Sequence, residues 1–202
     1  MKQRSILLVS SVLWLFSVVA GLRVMLTYEN TPGISATAPV QWPANSGLRR
    51  APAGATLVML VHPQCPCTRA SIGELNALMA QCQGKVSVYV LFFKPKGMAA
   101  GWEKTDLWQS AAAIPGVKVV CDDGGAEARR FGVATSGQAM LFDSAGHLLF
   151  SGGITGGRGH SGDNAGRSAI VSLVTAGTTE RDKTFVFGCS VLDPASIRSG
   201  VK

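Results

Sequence analysis

The chain has 202 residues, of which 47% are hydrophobic and 15% are charged, and its formal net charge is +7. This composition excludes a highly charged, disordered chain. The basic residues stand singly apart from Arg49-Arg50 and Arg129-Arg130, and no run of them is interleaved with aromatic residues. We therefore expect a solvated basic surface and no nucleic-acid partner.

The N-terminus predicts a membrane anchor. Two basic residues precede an uncharged run of 17 residues, 6–22, and the apolar stretch reaches Leu26 if Arg23 extends its charge to the interface. Bases before such a run hold that end in the cytoplasm. We expect a single transmembrane helix at 1–28 in a bacterial cytoplasmic membrane, with the rest of the chain in the periplasm. A cleaved signal peptide is the alternative.

The remaining chain divides into three segments by composition. Residues 29–54 are rich in Pro and Ala and predict a semi-extended tether. Residues 55–177 alternate strand and helix patterns and form the predicted domain. Residues 178–202 form a tail with one further apolar segment, 184–191.

Hydrophobic periodicity in that domain predicts the order β-α-β-α-β-α-β-β-α. The expected strands are 56–62, 86–93, 117–120, 139–142 and 147–150, and the expected helices are 68–83, 102–114, 126–131 and a last one from Asp163 or Asn164 to 176. Strands separated by helices predict parallel pairing with helices on both faces, and the last two strands predict an antiparallel hairpin. The fold class is therefore α/β with a central mixed sheet.

A cysteine motif lies where the first strand gives way to the first helix. Cys65-Pro66-Cys67 follows Pro63, and Pro66 suits a first helical position because its missing N–H is not needed there. Free N–H groups at a helix N-terminus lower the pKa of a thiol, and Arg69 adds positive charge nearby. These features indicate Cys65 as a nucleophile. A bridge to Cys67 would be strained and labile, as exchange requires.

Together with the later hairpin, this motif resembles the thioredoxin fold and, more closely, membrane-anchored thioredoxin-like proteins of the RedB type within the TlpA-like group. The stretches that carry the resemblance are 62–71 (HPQCPCTRAS), 150–155 (FSGGIT) and 157–160 (GRGH), and the resemblance covers about residues 40–192. It implies a thiol–disulfide oxidoreductase without a cofactor, acting on protein thiols or disulfides or with a membrane redox partner.

The resemblance also implies roles for the residues of the motif. Family members with Cys-x-x-Cys continue Arg-x-x-x-x-Glu-Leu, and residues 69–75 match that pattern. Cys65 then takes the place of the nucleophilic cysteine, and Thr68 takes the place of the second cysteine. Cys67 falls one residue early, and it is the expected resolving thiol.

Two features of the later chain are expected beside the cysteines. The resemblance implies a cis-proline at the start of the hairpin, and this sequence has Gly137 there, so its peptide bond is expected to be trans and its substrate edge altered. The glycine-rich loop 152–162 follows the second hairpin strand, which runs back toward the cysteines. Arg158 and His160 are therefore expected to flank the site, with a flexible surface loop as the alternative.

His62 gives the motif the character of a soft metal site. Two thiolates from Cys65 and Cys67 with one imidazole suit Cu(I) or Zn(II). Thioredoxin-like copper chaperones also use two cysteines and a histidine. A copper-binding or metallochaperone module is therefore the alternative function.

The other three cysteines carry separate expectations. Cys82 lies on the apolar face of the first helix and is expected in the core. Cys121 lies at a strand end. Cys189, in Phe187-Gly188-Cys189, resembles a recurring feature of RedB-type tails, and it is either a third redox thiol or a packing residue.

Overall fold

A computed structural model describes residues 2–34, 37–82 and 84–192 of the chain. Gln83, at the expected end of the first domain helix, and residues 193–202 of the predicted tail lie outside the described residues. The described residues form five helices and five strands. These are α1 (Lys2–Asn30), β1 (Ala55–Val61), α2 (Pro66–Gln81), β2 (Val86–Lys94), α3 (Asp106–Ala112), β3 (Val117–Asp123), α4 (Ala126–Arg130), β4 (Gln138–Phe142), β5 (Leu148–Gly153) and α5 (Ala165–Ala176).

The element order matches the prediction, and one helix is markedly shorter than expected. The helix predicted for 102–114 begins only at Asp106, because Gly101 has φ +85° and the chain turns there. Tight turns precede the helix, with the Lys104 N–H donating to the Gly101 carbonyl at 2.9 Å. In contrast, α2 begins two residues before the periodic stretch 68–83, at Pro66, the position that suits a proline at a helix start.

The five strands form one mixed sheet in the order β3-β2-β1-β4-β5. β1 pairs with β2 in parallel, β2 pairs with β3 in parallel, and β4 pairs antiparallel with both β1 and β5. This order and these directions are those of a thioredoxin-like fold. β1 is central, so its residues 57–61 are at most 1% exposed, which explains their unbroken apolar run.

Both faces of the sheet are covered, but by different means. Leu57 and Met59 of β1 point into a core that contains residues of α2, α3 and α5. Val58 and Leu60 point the other way, into a core to which α4 contributes Ala128. Because α4 has only five residues, it leaves much of that face open.

Segments outside the expected domain cover the rest of that face. Trp42, from the predicted tether, packs edge-on against Phe131 at 5.2 Å and Phe142 at 5.3 Å between ring centroids. Its backbone N–H donates to the Gly146 carbonyl at 2.8 Å. From the tail, Leu192 is 6% exposed in the same core. Part of the Pro/Ala-rich segment therefore lies against the domain.

The N-terminal helix α1 has the length and composition of a membrane span. Its residues Gln3–Asn30 have a mean hydropathy of 2.2 in the most apolar window, and none of that window is buried in the protein. A signal sequence meets the same criteria. The end of α1 contacts the glycine-rich loop, since the Arg158 N–H donates to the Glu29 carbonyl at 3.0 Å.

Candidate active site

Cys65 lies at the N-terminus of α2, where the chain changes from extended to helical. It is the N-cap residue, with φ −89° and ψ 121°, and Pro66 opens the helix. The residue is only 1% exposed. Its sulfur accepts hydrogen bonds from the backbone N–H groups of Cys67 and Thr68, and from both the N–H and the thiol of Cys189.

These hydrogen bonds decide the ionisation of Cys65. Burial by itself raises the pKa of the thiol above its usual value of 9.0. The Cys189 thiol and the backbone N–H groups of Cys189, Cys67 and Thr68 more than offset burial, and the pKa is lowered. Of the three neighbouring thiols, Cys65 is the one whose pKa is lowered, so it loses its proton most readily. The helix N-terminus was predicted from the sequence, but the donors from Cys189 were not.

Cys67 is the second thiol of the motif. It is 8% exposed, and its thiol donates a hydrogen bond to Cys65. Burial and the charge on Cys65 raise the pKa of Cys67, while Arg158 and the Gly159 N–H oppose the rise. Within the motif, Cys65 therefore loses its proton before Cys67.

The tail brings a third thiol to the same place. The Ser136 N–H donates to the Cys189 carbonyl at 2.8 Å, and the Val191 N–H donates to the Ala134 carbonyl at 2.8 Å. This antiparallel pairing sets Cys189 against Cys65. Burial, the hydrogen bond to Cys65 and the charge on Cys65 raise the pKa of Cys189 to about 12. Of the two roles left open for Cys189, the structure places it where a redox role is feasible.

The loop before β4 is tied to both β1 and α2. Gly137 has φ +89°, its N–H donates to the Leu60 carbonyl at 2.8 Å, and the described residues include no cis peptide bond, as expected for the 136–137 bond. The Ser136 hydroxyl accepts the His62 N–H at 2.8 Å and lies 2.9 Å from the Thr68 hydroxyl oxygen. Thr68, where the resemblance implies a second cysteine, has a buried hydroxyl that supports this loop.

Arg158 links the end of α1 to the tail. Its Nη1 donates to the Gly188 carbonyl at 2.6 Å, and its Nε donates to the Thr31 carbonyl at 3.1 Å. The guanidinium carbon lies 4.9 Å from the centroid of the Tyr28 ring. Arg158 therefore lies beside the cysteines, at the position that the antiparallel hairpin predicted.

Two other predicted site residues point away from the cysteines. His160 Nε2 lies 3.3 Å from the Glu29 carboxylate, so it contacts the end of α1. Arg69 pairs with Asp106 at 2.5 Å, and its side chain is 67% exposed. The pKa of Cys65 is explained by burial and hydrogen bonds in which Arg69 takes no part.

His62 is engaged elsewhere and does not approach the thiols as a ligand. Its ring packs against Phe93 and Trp102, with centroids 6.1 and 5.8 Å away, and its Nδ1 accepts the Gln64 N–H at 3.1 Å. Burial lowers the pKa of His62. Within residues 2–34, 37–82 and 84–192, no three His, Cys, Asp or Glu side chains are placed to hold one metal ion.

The last two cysteines lie apart from this cluster. Cys82 is fully buried in the core beneath α2, as its helical position predicted. Cys121 is half-buried on β3, where its thiol donates to Glu103 and burial raises its pKa. Neither is among the groups that shift the pKa of Cys65 most.

The chain resembles several solved structures. It is similar to an uncharacterized conserved protein from Geobacillus kaustophilus, with a TM-score of 0.57 and 18% identity over 82% of this chain and 93% of that one. A hypothetical protein from Sinorhizobium meliloti gives a TM-score of 0.55 and 20% identity over 80% and 93%. The fold is thioredoxin-like.

A secreted disulfide oxidoreductase from Mycobacterium tuberculosis, homologous to E. coli DsbE, is a more distant neighbour. Its TM-score is 0.45, with 12% identity over 61% of this chain and 81% of that one. The sequence matches no protein-family model and no curated protein. At these identities the likenesses establish the fold alone, and the function has to be argued from the site.

Proposed function

We propose that this chain is a thiol–disulfide oxidoreductase of the RedB type, held in a bacterial cytoplasmic membrane by α1 with its domain in the periplasm. The observation that supports it best is the environment of Cys65. Its buried sulfur accepts hydrogen bonds from the thiols of Cys67 and Cys189 and from three backbone N–H groups, and its pKa is lowered, although burial alone would raise it. A low-pKa thiolate at a helix N-terminus is the nucleophile that disulfide exchange requires.

The exchange proceeds in two steps. The Cys65 thiolate attacks one sulfur of a substrate disulfide, forms a mixed disulfide and releases the other sulfur as a thiolate, which takes up a proton. A second cysteine of the domain then loses its proton and attacks the Cys65 sulfur. The second substrate sulfur leaves, and the domain keeps a disulfide. The domain loses two electrons, which the substrate gains, and the reverse sequence oxidises substrate thiols. For this second step the sequence predicts Cys67.

The contacts of α1 favour a partner at the membrane surface. Arg158 touches Tyr28 and Thr31 at the end of α1, and with the same side chain it binds the Gly188 carbonyl beside Cys189. The Arg158 side chain therefore contacts both the end of the anchor helix and the segment that carries Cys189. A membrane redox partner, or a protein disulfide presented near the membrane, fits this placement.

The activity is tested with the full-length protein in detergent. Reduced wild-type protein is expected to reduce a fluorescent disulfide peptide in a single turnover, and Cys65→Ser is expected to abolish that reaction. Cys121→Ser is the matched control and should retain the wild-type rate, because Cys121 lies apart from the cluster. Turnover by Cys65→Ser at the wild-type rate would contradict the proposal.

The location is tested separately. A reporter fused after Lys202 should be active only outside the cytoplasm, and the protein should sediment with membranes. A shorter soluble form in the periplasm would show instead that residues 1–28 act as a cleaved signal peptide.

The same preparation tests the copper alternative. Under reducing conditions, competition with a Cu(I) chelator should show binding no tighter than that of a short Cys-Pro-Cys peptide, since His62 is engaged away from the thiols. Much tighter binding that is lost in both Cys65→Ser and Cys67→Ser would favour a copper module over an exchange enzyme.

A further inference from the structure

The tail covers the cysteine site by pairing with the loop before β4. Hydrogen bonds from Ser136 to Cys189 and from Val191 to Ala134, both 2.8 Å, join the two segments in antiparallel fashion. Free backbone groups along such an edge are where an extended peptide binds by adding a strand. Here the protein's own tail fills that position, and it carries a cysteine there.

Several contacts fix the register of this segment. A Cβ atom on Gly188 would lie 2.0 Å from the Ser136 carbonyl oxygen, so only glycine allows the approach. Arg158 donates to the Gly188 carbonyl at 2.6 Å. On the far side, Val191 and Leu192 are each 6% exposed in the core. The position of Cys189 against Cys65 is therefore held from both sides.

We propose that Cys189 resolves the mixed disulfide on Cys65, so that the redox-active disulfide of this protein is Cys65–Cys189. The proposal rests on the thiol–disulfide exchange proposed above, and it replaces Cys67 in the second step.

The geometry of the two candidate bridges favours Cys189. Cys65 is the N-cap of α2 and Cys67 is the second residue of the helix, with Pro66 fixing φ between them. Side chains two apart at a helix start diverge, so closing a Cys65–Cys67 bridge would distort the first turn. That turn supplies the N–H donors of Cys67 and Thr68 to Cys65. Cys189 approaches from a separate extended segment, and its bridge leaves α2 intact.

The covered site implies an order of events. Because Cys65 is 1% exposed beneath the tail, a substrate disulfide reaches it only when the tail lifts. Attack by Cys65 forms the mixed disulfide and removes the thiolate charge. When the tail returns, Cys189 no longer faces a hydrogen-bond acceptor or a negative charge on Cys65. After burial, these are the two contributions that raise the pKa of Cys189 most. It gives up its proton to water, bonds to the Cys65 sulfur and expels the substrate sulfur. Two electrons pass from Cys65 and Cys189 to the substrate.

The test uses the reduced full-length protein in detergent with oxidised glutathione as the probe. Samples are quenched by alkylation, digested without reduction and mapped by mass spectrometry. Wild-type protein should yield a Cys65–Cys189 linked peptide. Cys189→Ser should accumulate glutathione on Cys65 and release the second glutathione at least about tenfold more slowly, since the resolving thiol is gone. Cys67→Ser and the control Cys121→Ser should still form the Cys65–Cys189 link.

The outcomes separate this inference from the proposed activity. A Cys65–Cys67 link in wild-type protein, with unchanged glutathione release in Cys189→Ser, would overturn the role of Cys189 and leave exchange standing. Failure of Cys65 to take up glutathione in any form of the protein would overturn both. If Cys189→Ser does not fold, the wild-type disulfide map decides the question by itself.

Discussion

Gly188 lies so close to Ser136 that a Cβ atom on Gly188 would be 2.0 Å from the Ser136 carbonyl oxygen. The oxygen that a Cβ atom would meet belongs to the backbone, so no flexible side chain can move aside to make room. Next to it, the Ser136 N–H binds the carbonyl of Cys189. The contact therefore sets how closely the tail, and with it the Cys189 thiol, approaches Cys65.

Gly188→Ala is expected to push the tail away from this loop. The hydrogen bonds from Cys189 to Cys65 then weaken, and the pKa of Cys65 rises toward 9.0, the usual value for a cysteine. Alkylation of Cys65 by iodoacetamide should therefore require a higher pH than in wild type. Overpacking of this kind also costs about 1–3 kcal/mol of unfolding free energy. Peptide-resolved mass spectrometry across a pH series measures the first effect, and urea denaturation measures the second.

Gly156→Ala is the control for that experiment. Gly156 is exposed, and a Cβ atom there meets nothing within 4 Å. The Gly156→Ala protein should show the wild-type pH profile for Cys65 alkylation. A Gly188→Ala profile that also matches wild type would show that the tail does not set the ionisation of Cys65.

Two arginines near the motif are expected to differ in effect. Arg158→Ala removes the bonds to the Gly188 and Thr31 carbonyls, so the tail and the α1 contact should loosen. Alkylation of Cys189 should become severalfold faster, and protease cleavage just after α1 should increase. Arg69→Ala should change the Cys65 alkylation rate by less than about twofold, because its exposed pair with Asp106 is worth little. Unchanged Cys189 alkylation in Arg158→Ala, or a change of more than about twofold in the Cys65 rate of Arg69→Ala, would contradict these expectations.

Gly137→Pro should destabilise the domain, although the resemblance implies a proline at this place. Gly137 has φ +89°, whereas proline requires about −65°, and its N–H binds the Leu60 carbonyl. We expect a loss of about 3 kcal/mol or more in unfolding free energy. Gly137→Ala keeps the N–H and should lose less, about 1–2 kcal/mol for the left-handed backbone. Urea denaturation of both variants checks this order, and a Gly137→Pro protein as stable as wild type would exclude it.

Glu74 anchors the end of the glycine-rich loop to α2. It is 3% exposed, accepts the Gly162 N–H at 2.7 Å and forms an ion pair with Arg167. Glu74→Gln leaves the Arg167 charge without its buried partner, which typically costs about 3–5 kcal/mol. Asp163→Asn is the control, because that carboxylate pairs with the same arginine while fully exposed, and it should change stability little. Similar midpoints for the two variants in urea would refute the anchoring role.

Local patterns were enough to predict most of the fold. The apolar run of β1 predicted a central strand, and residues 57–61 are buried because β2 and β4 pair on both sides. Pro66 after Cys65 predicted the start of α2. These features depend on residues close in sequence, whose backbone preferences and periodicity act before any long-range contact forms. The packing of residues 37–48 was not predictable, because it follows from the small area that α4 covers.

The sequence by itself determined that Cys65 lies at a strand-to-helix junction with free N–H groups. Only the tertiary structure decided which other groups reach it. Cys189 arrives through strand pairing with the loop before β4, and that register depends on a backbone contact at Gly188. Arg158 and His160 both contact the end of α1, yet only the Arg158 side chain also reaches the tail, at the Gly188 carbonyl. Such contacts depend on how distant segments pack, and no local pattern in the chain encodes them.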